Sequence, residues 1–377
     1  MGRECWLRPS IAPLSLMKLG AMALIASCTV HPIDPKPRAD MSTKAYGTDI
    51  RYPTRRAFDS GGAIGFIDRE GRVVIPPILK GTSGTFDEGL LAFTDQTSKL
   101  RGYLNVDGHV VISPRFVDAG PFSEGLALAS LPGQVDPTGK WPIDGYIDRQ
   151  GEFVIPPQFR AGSPFSEGLA RVIGCDGVYG FVNPAGELLE LPQYTNAGNF
   201  AGGLAMVTAD FKRHGAINAL GEEVIAPQYE RARGDFAEGL WLVERDDVWL
   251  FVDTEGRQAF PETFEDAQPF HEGRAAVEFG GKWGYIDRSG ALVIEPRFDD
   301  PKSFYEGLAC PGIAKSKVRD SGDWYGVIDL DGNGVLPFEY DSIGGFTDGL
   351  SGAKKDGVHG TIDRTGRWIF VDPPVAR

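Results

Sequence analysis

Beyond residue 56 the apolar positions of the chain come in short runs, parted by turn residues at a nearly constant interval. Gly145-Tyr146-Ile147 is followed by Asp148-Arg149-Gln150-Gly151 and then by Phe153-Val154-Ile155, and almost the same words return from Gly284 to Phe298. Short apolar runs bounded by Asp or Asn and Gly predict strands joined in hairpins. The first side chain of the turn can accept a bond from backbone two residues on, and its glycine tolerates positive φ. Helix-period patterning is absent from the body of the chain.

The hairpin word is a Gly, two apolar residues, Asp or Asn, two variable residues and Gly. It begins at residues 65, 102, 145, 180, 215, 250, 284, 326 and 360, the sixth copy opening on Leu250 instead of glycine. A second word, Phe-x-Glu-Gly-Leu, falls between the copies at Phe86, Phe122, Phe165, Phe200, Phe236, Phe270, Phe304 and Phe346. Proline closes the second apolar run, as at Pro114, Pro157, Pro227 and Pro296, because it cannot donate to a ladder. An aromatic such as Phe159 or Tyr229 comes next, and a turn-rich link leads to the following Phe word.

The expected fold is all-β: a tandem array of about nine ~35-residue units, each of three short strands. An open, solenoid-like array is the expected arrangement, roughly 130 Å long if every strand joins one ribbon at the usual spacing. A closed β-propeller-like ring is the alternative; nine blades exceed the usual number of about four to eight. Two inserts, residues 130–144 and 311–324, enlarge the loop just before the hairpin glycine. Inserts at one loop of a repeat project from one face, either as a binding surface or as tolerated drift.

On these residues the unit resembles the WG repeat of many bacterial proteins, whose fuller form reads Lys-Trp-Gly-Tyr-Ile-Asp-x-x-Gly. Lys282-Trp283-Gly284-Tyr285-Ile286-Asp287 matches that form throughout, and the resemblance covers roughly residues 57–374. The place of the tryptophan is taken by Tyr179, Trp249 or Tyr325 in some units, by His214 or His359 in others, and by Ile64, Arg101 and Asp144 in the rest. The resemblance implies an interaction module without enzymatic activity or cofactor.

Residues 1–27 read as a signal peptide, with Met17 an alternative start. Lys18 precedes the apolar run LGAMALIA, which is too short to span a bilayer, and Ile25-Ala26-Ser27-Cys28 resembles a lipobox with Cys28 as the lipidated residue. Residues 28–56, rich in proline and charge, read as the lipidated cysteine and a tether, leaving 57–374 as the repeat domain. This places the protein in the bacterial cell envelope, attached to a membrane only through the N-terminal lipid. Thr29, where Asp would favour the inner membrane in the resembling lipoproteins, points to the outer membrane or a periplasm-facing site; a secreted soluble protein is the alternative. A net charge of -14 argues against nucleic acid as a partner. Cys175 and Cys310 lie too far apart in the repeat register to pair and read as separate small hydrophobes.

No catalytic or metal-binding pattern emerges. Asp329-Leu330-Asp331-Gly332-Asn333-Gly334 opens like a calcium loop, but Tyr340 stands where that loop needs its bidentate Glu, and the repeat register accounts for Asp329 and Gly332. Glu88, Glu124, Glu167, Glu238, Glu272, Glu306 and Asp348 recur once per unit, broken only by Gly202. They form either a binding stripe for a basic partner or acceptors for backbone N–H groups in their own turns. Arg69, Arg149, Arg288 and Arg364 follow the turn Asp in four units. Tyr179, Trp249 and Trp283 are candidate aromatic contacts for a glycan, or repeat core. The functional expectation is a non-enzymatic, envelope-anchored protein presenting an extended surface to an unidentified protein partner. A glycan- or peptidoglycan-binding module is the alternative, and exposure of those three rings discriminates the two.

Overall fold

The computed structural model describes residues 55–82, 84–314 and 323–373; Cys28, the signal peptide, nearly all of the tether and most of the second insert lie outside the described residues. Among the described residues are 31 strands and no helix, in eight antiparallel sheets. Unit five shows the plan: Asn196–Ala197, Leu204–Thr208, His214–Asn218 and Glu223–Tyr229 pair in chain order. Unit five therefore has four strands, while four of the eight sheets keep the expected three. The link after the aromatic, expected to be a turn, contributes the extra one, as where Asn196 and Ala197 face Thr208 and Val207. That strand is too short and polar to register as an apolar run. In unit three the strand Phe153–Gly162 runs on into unit four, so one seven-stranded sheet spans both.

Each hairpin is held by its own Asp or Asn. Asp148 Oδ1 accepts the N–H groups of Gln150 and Glu152 at 2.9 Å each, and Asn218 Oδ1 does the same for Leu220 and Glu222 at 3.0 Å. Asp329 belongs to this series, accepting from Asp331 and Asn333. Its carboxylate is thus committed to the turn, as the repeat register implies.

The glycine of the Trp-Gly pair answers a different demand. A Cβ on Gly284 would lie 2.5 Å from the Ile294 carbonyl oxygen, because the proline-bearing last strand bulges across it. In unit six Leu250 stands at this place, fully buried, and residues 257–264 fail to form a strand ladder, touching their neighbour only through isolated bridges at Phe264 and Gln258. The side chain keeps the last strand away.

The core lies between units. Where the hairpin residue is aromatic, the Phe of the following Phe-x-Glu-Gly word meets it edge to face: Tyr103 with Phe122 at 4.9 Å, Phe181 with Phe200 at 4.6 Å, Tyr285 with Phe304 at 5.1 Å. The buried tyrosines keep their hydroxyls satisfied on the next unit, Tyr146 donating to Ser163 O at 2.8 Å and Tyr285 to Lys302 O at 2.8 Å. The hairpin glycines also sit over the segment that follows the preceding unit's turn; Gly221 packs on Leu189, Gly332 on Ile294 and Gly366 on Leu336.

Among the described residues no sheet closes into a barrel, and the units follow one another as the expected tandem array. The two ends of that array meet. Gly71 of the first unit sits over Ile369 of the last, the relation found between successive units. Arg69 donates to Asp348 at 2.9 Å, and the rings of Phe58 and Phe370 are 4.7 Å apart. The arrangement is thus the ring named above as the alternative, nine units each packed on the next.

Candidate functional site

The acidic row and the arginine row form one network. Each Glu of the second word has positive φ, from 49° at Glu88 to 54° at Glu167 and Glu238, followed by a glycine also at positive φ. This is a strained place for a residue other than glycine. The reason for Glu there is its reach. Glu167 accepts the N–H groups of Gly202 and Gly203 at 3.0 and 2.8 Å, and Glu272 those of Glu306 and Gly307 at 2.7 Å each. Glu88 reaches Gly125, Glu124 reaches Gly168, Glu238 reaches Gly273 and Glu306 reaches Gly349. The acceptors serve the next unit's turn, not their own.

The arginines reach back onto the same turns. Arg149 donates to Glu88 O at 2.9 Å, Arg288 to Glu238 O at 2.7 Å and Arg364 to Glu306 Oε2 at 2.6 Å. Arg69 on Asp348 repeats this relation across the junction of the ends. Burial opposes ionisation of Glu306, yet Arg364 and the two N–H groups hold it below the usual carboxylate range. The residues read as a stripe are latches between neighbours.

The candidate aromatics do not line up in solvent. Trp249 is only 5% exposed and belongs to the core between units six and seven, with the Arg233 guanidinium 4.3 Å from its ring centre. Trp283 is half-buried on the core between units seven and eight, and Tyr179 on that between four and five. Neither Cys175 nor Cys310 forms a disulfide, and burial pushes the Cys310 thiol up to about 12.

A different place carries uncommitted chemistry. A cleft of about 590 Å³ opens between units two and three, lined by Asp87, Arg101, Asp118, Gly120, Leu128 and Asp144 among others. Arg101 and Asp144 occupy the tryptophan places of those units. Where Trp283 fills the equivalent space with an indole, this pair leaves a polar hollow. Arg101 donates to Asp118 at 2.5 Å. Asp144 faces the fully buried Ser130 across one strand pair and Phe159 across the other. Burial, reinforced by the Asp118 carboxylate, pushes Asp144 up to about 7. Asp87 is also raised, by burial first and then by Glu88 beside it.

The first insert builds the rim. Its strands, Leu126–Val135 and Pro142–Ile147, extend the hairpin beyond the usual length. Asp136 clamps the tip, its carboxylate accepting from Thr138 Oγ1 at 2.8 Å and from the Lys140 N–H at 3.1 Å, while its own N–H donates to Trp141 O at 2.8 Å. Trp141 is thereby presented at 62% exposure on a braced loop. A second hollow of about 530 Å³ shares Asp118 and Asp144 with the cleft and adds Trp141, Pro142 and Arg160. Sequence reasoning singled out none of these as site residues. The signal was present in two forms, the loss of the aromatic at residues 101 and 144 and the insert that carries Trp141.

The model of the WG containing repeat matches residues 64–95, 102–131, 145–173, 179–210, 215–249, 251–283, 283–310 and 325–358. No curated protein is significantly similar to the chain. Among solved structures, a eukaryotic initiation factor is similar in fold at a TM-score of 0.57 and 12% identity, over 85% of this chain and 96% of that one. BamB from Moraxella catarrhalis is similar at a TM-score of 0.38 and 11% identity, over 81% and 95% of the two chains. AztD from Citrobacter koseri is similar at 0.37 and 14%, over 63% and 84%.

Proposed function

Because the chain belongs to the WG containing repeat family, a β-repeat scaffold, we propose that it is a non-enzymatic protein of the bacterial cell envelope that holds a protein partner on its ring. One observation supports this reading above the others. The recurring acids and arginines are used up in holding neighbouring units together, whereas the cleft between units two and three breaks the repeat rule and places charge and an exposed indole at the surface. Burial of Trp249 and half-burial of Trp283 and Tyr179 favour a scaffold over a platform of stacking rings for glycan. Lipid on Cys28 attaches the ring to the membrane, and residues 28–56 lift it off the surface.

Crosslinked affinity capture from intact envelopes tests the proposal, comparing the wild-type chain with a soluble Cys28→Ala form. One dominant protein recovered with the wild type, and bound again when the purified components are mixed, is the expected result. An exposed Trp141 beside carboxylates is also the chemistry of sugar recognition. Recovery of cell-wall fragments alone would move the function to that second reading.

A further inference from the structure

We infer that the cleft between units two and three receives a lysine or arginine side chain from a basic segment of the protein partner, its cation facing Asp87, Asp118 and Asp144 and its stem lying on Trp141. The inference rests on the scaffold reading above and names the chemistry of the partner.

Charge complementarity carries it. Three carboxylates share the two hollows with two guanidinium groups, Arg101 and Arg160, and Arg101 is already engaged by Asp118. Three carboxylates against two guanidinium groups leave an excess of one negative charge when all three are ionised, inside a chain whose overall charge is -14. Such a cleft attracts a cation and gains most from one that reaches past the rim, because the carboxylates behind it are partly stripped of water. A neutral sugar leaves the crowding of Asp118 and Asp144 unrelieved; a cation relieves it. Trp141 supplies the remaining element, an exposed indole face fixed by the Asp136 turn, on which a guanidinium or a methylene stem can lie. Where a unit keeps its aromatic the same place is filled: in unit seven the indole of Trp283 packs on the core.

The test is fluorescence anisotropy of a labelled, end-blocked tetra-arginine peptide titrated with the full chain in detergent, with tetra-glutamate as the control peptide and a chito-oligosaccharide as competitor. Asp144→Asn and Trp141→Ala are each expected to weaken tetra-arginine binding about tenfold. Asp356→Asn, which removes the same charge from an exposed turn of the ninth unit, should leave it within about twofold. Wild-type binding should also tighten from pH 6 to pH 8. The polar and charged groups around Asp144 are Ser130, Arg101, Arg160, Asp118 and Asp87, and Asp87 is itself raised by burial and by Glu88. The pH response should vanish in Asp144→Asn. Equal weakening by Asp356→Asn, no effect of Asp144→Asn, or displacement by the sugar overturns the inference. The same two cleft variants, run through the envelope capture, separate the two readings. A partner retained by both variants ends the cleft assignment and leaves the scaffold standing, whereas no partner with the wild type ends the scaffold.

Discussion

Replacing Asp144 by asparagine should make the protein more stable at pH 8. The side chain is nearly isosteric, so its packing between Ser130 and Phe159 survives, while the buried charge disappears. In the folded protein the carboxyl ionises near 7 rather than at the ordinary 3.8. Such a difference corresponds to about 4 kcal/mol of folding free energy above pH 7. Solvent reaches the cleft and screens the group, so a gain of about 2 kcal/mol is the reasonable expectation.

The sign follows from proton counting. Between pH 3.8 and 7 the folded state keeps a proton that the unfolded state has released, so rising pH weakens folding across that window. The destabilisation is fully present above 7 and absent below the unfolded value. Thermal midpoints of wild type and Asp144→Asn, taken at pH 8, 6 and 4, test this directly. The variant should melt several degrees higher at pH 8, and the difference should shrink to nothing by pH 4. A difference independent of pH, or a variant that melts lower at pH 8, would refute the assignment of a destabilising charge to this residue. Loss of cationic-peptide binding in the stabilised variant would show what the charge is kept for.

Three further outcomes are expected. Glu167→Ala should cost about 1–2 kcal/mol by orphaning the Gly202 and Gly203 N–H groups, while Glu167→Gly loses the same bonds but relieves the positive φ and recovers about 1 kcal/mol; chemical denaturation of the pair measures both. Gly284→Ala should cost about 2–3 kcal/mol in the same assay, since its Cβ would press on the Ile294 carbonyl. Small-angle scattering of residues 55–374 should give a radius of gyration of about 20 Å, the value for a compact chain of that length. The ~130 Å rod of an open array would instead give about 37 Å.

The hairpin turns were fully legible in the sequence because their determinants are local: an acceptor, two residues and a glycine lie within one tetrad, as at Asp148 and Gly151. The short leading strand of unit five was not. Asn196 and Ala197 pair with Thr208 and Val207 through backbone alone, and nothing in a polar dipeptide marks it as a strand. The meeting of the ends was equally hidden. Arg69 and Asp348 obey the same rule as Arg364 and Glu306, so the contact becomes visible only when the repeat is read in a circle. The role of the Glu row was half legible: recurrence showed that the residue serves the fold, but not that it reaches into the neighbour.

That distinction also explains where function had to be sought. A residue repeated in every unit is constrained by a contact repeated in every unit, and in this ring those contacts are structural. Chemistry free for another use must sit where a unit departs from the rule and where the departure costs stability. Leu250 departs, but its side chain is buried and its effect is confined to the last strand of its own unit. Gly202 departs toward less strain, since glycine tolerates the positive φ that its Glu counterparts endure. Arg101 and Asp144 depart in the other direction. They exchange an aromatic for charge at adjacent units, open a cleft between them, and do so beside the insert that presents Trp141. Two unfavourable exchanges and an insert at one place are hard to account for as independent drift, and a cationic ligand gives all three a common cause.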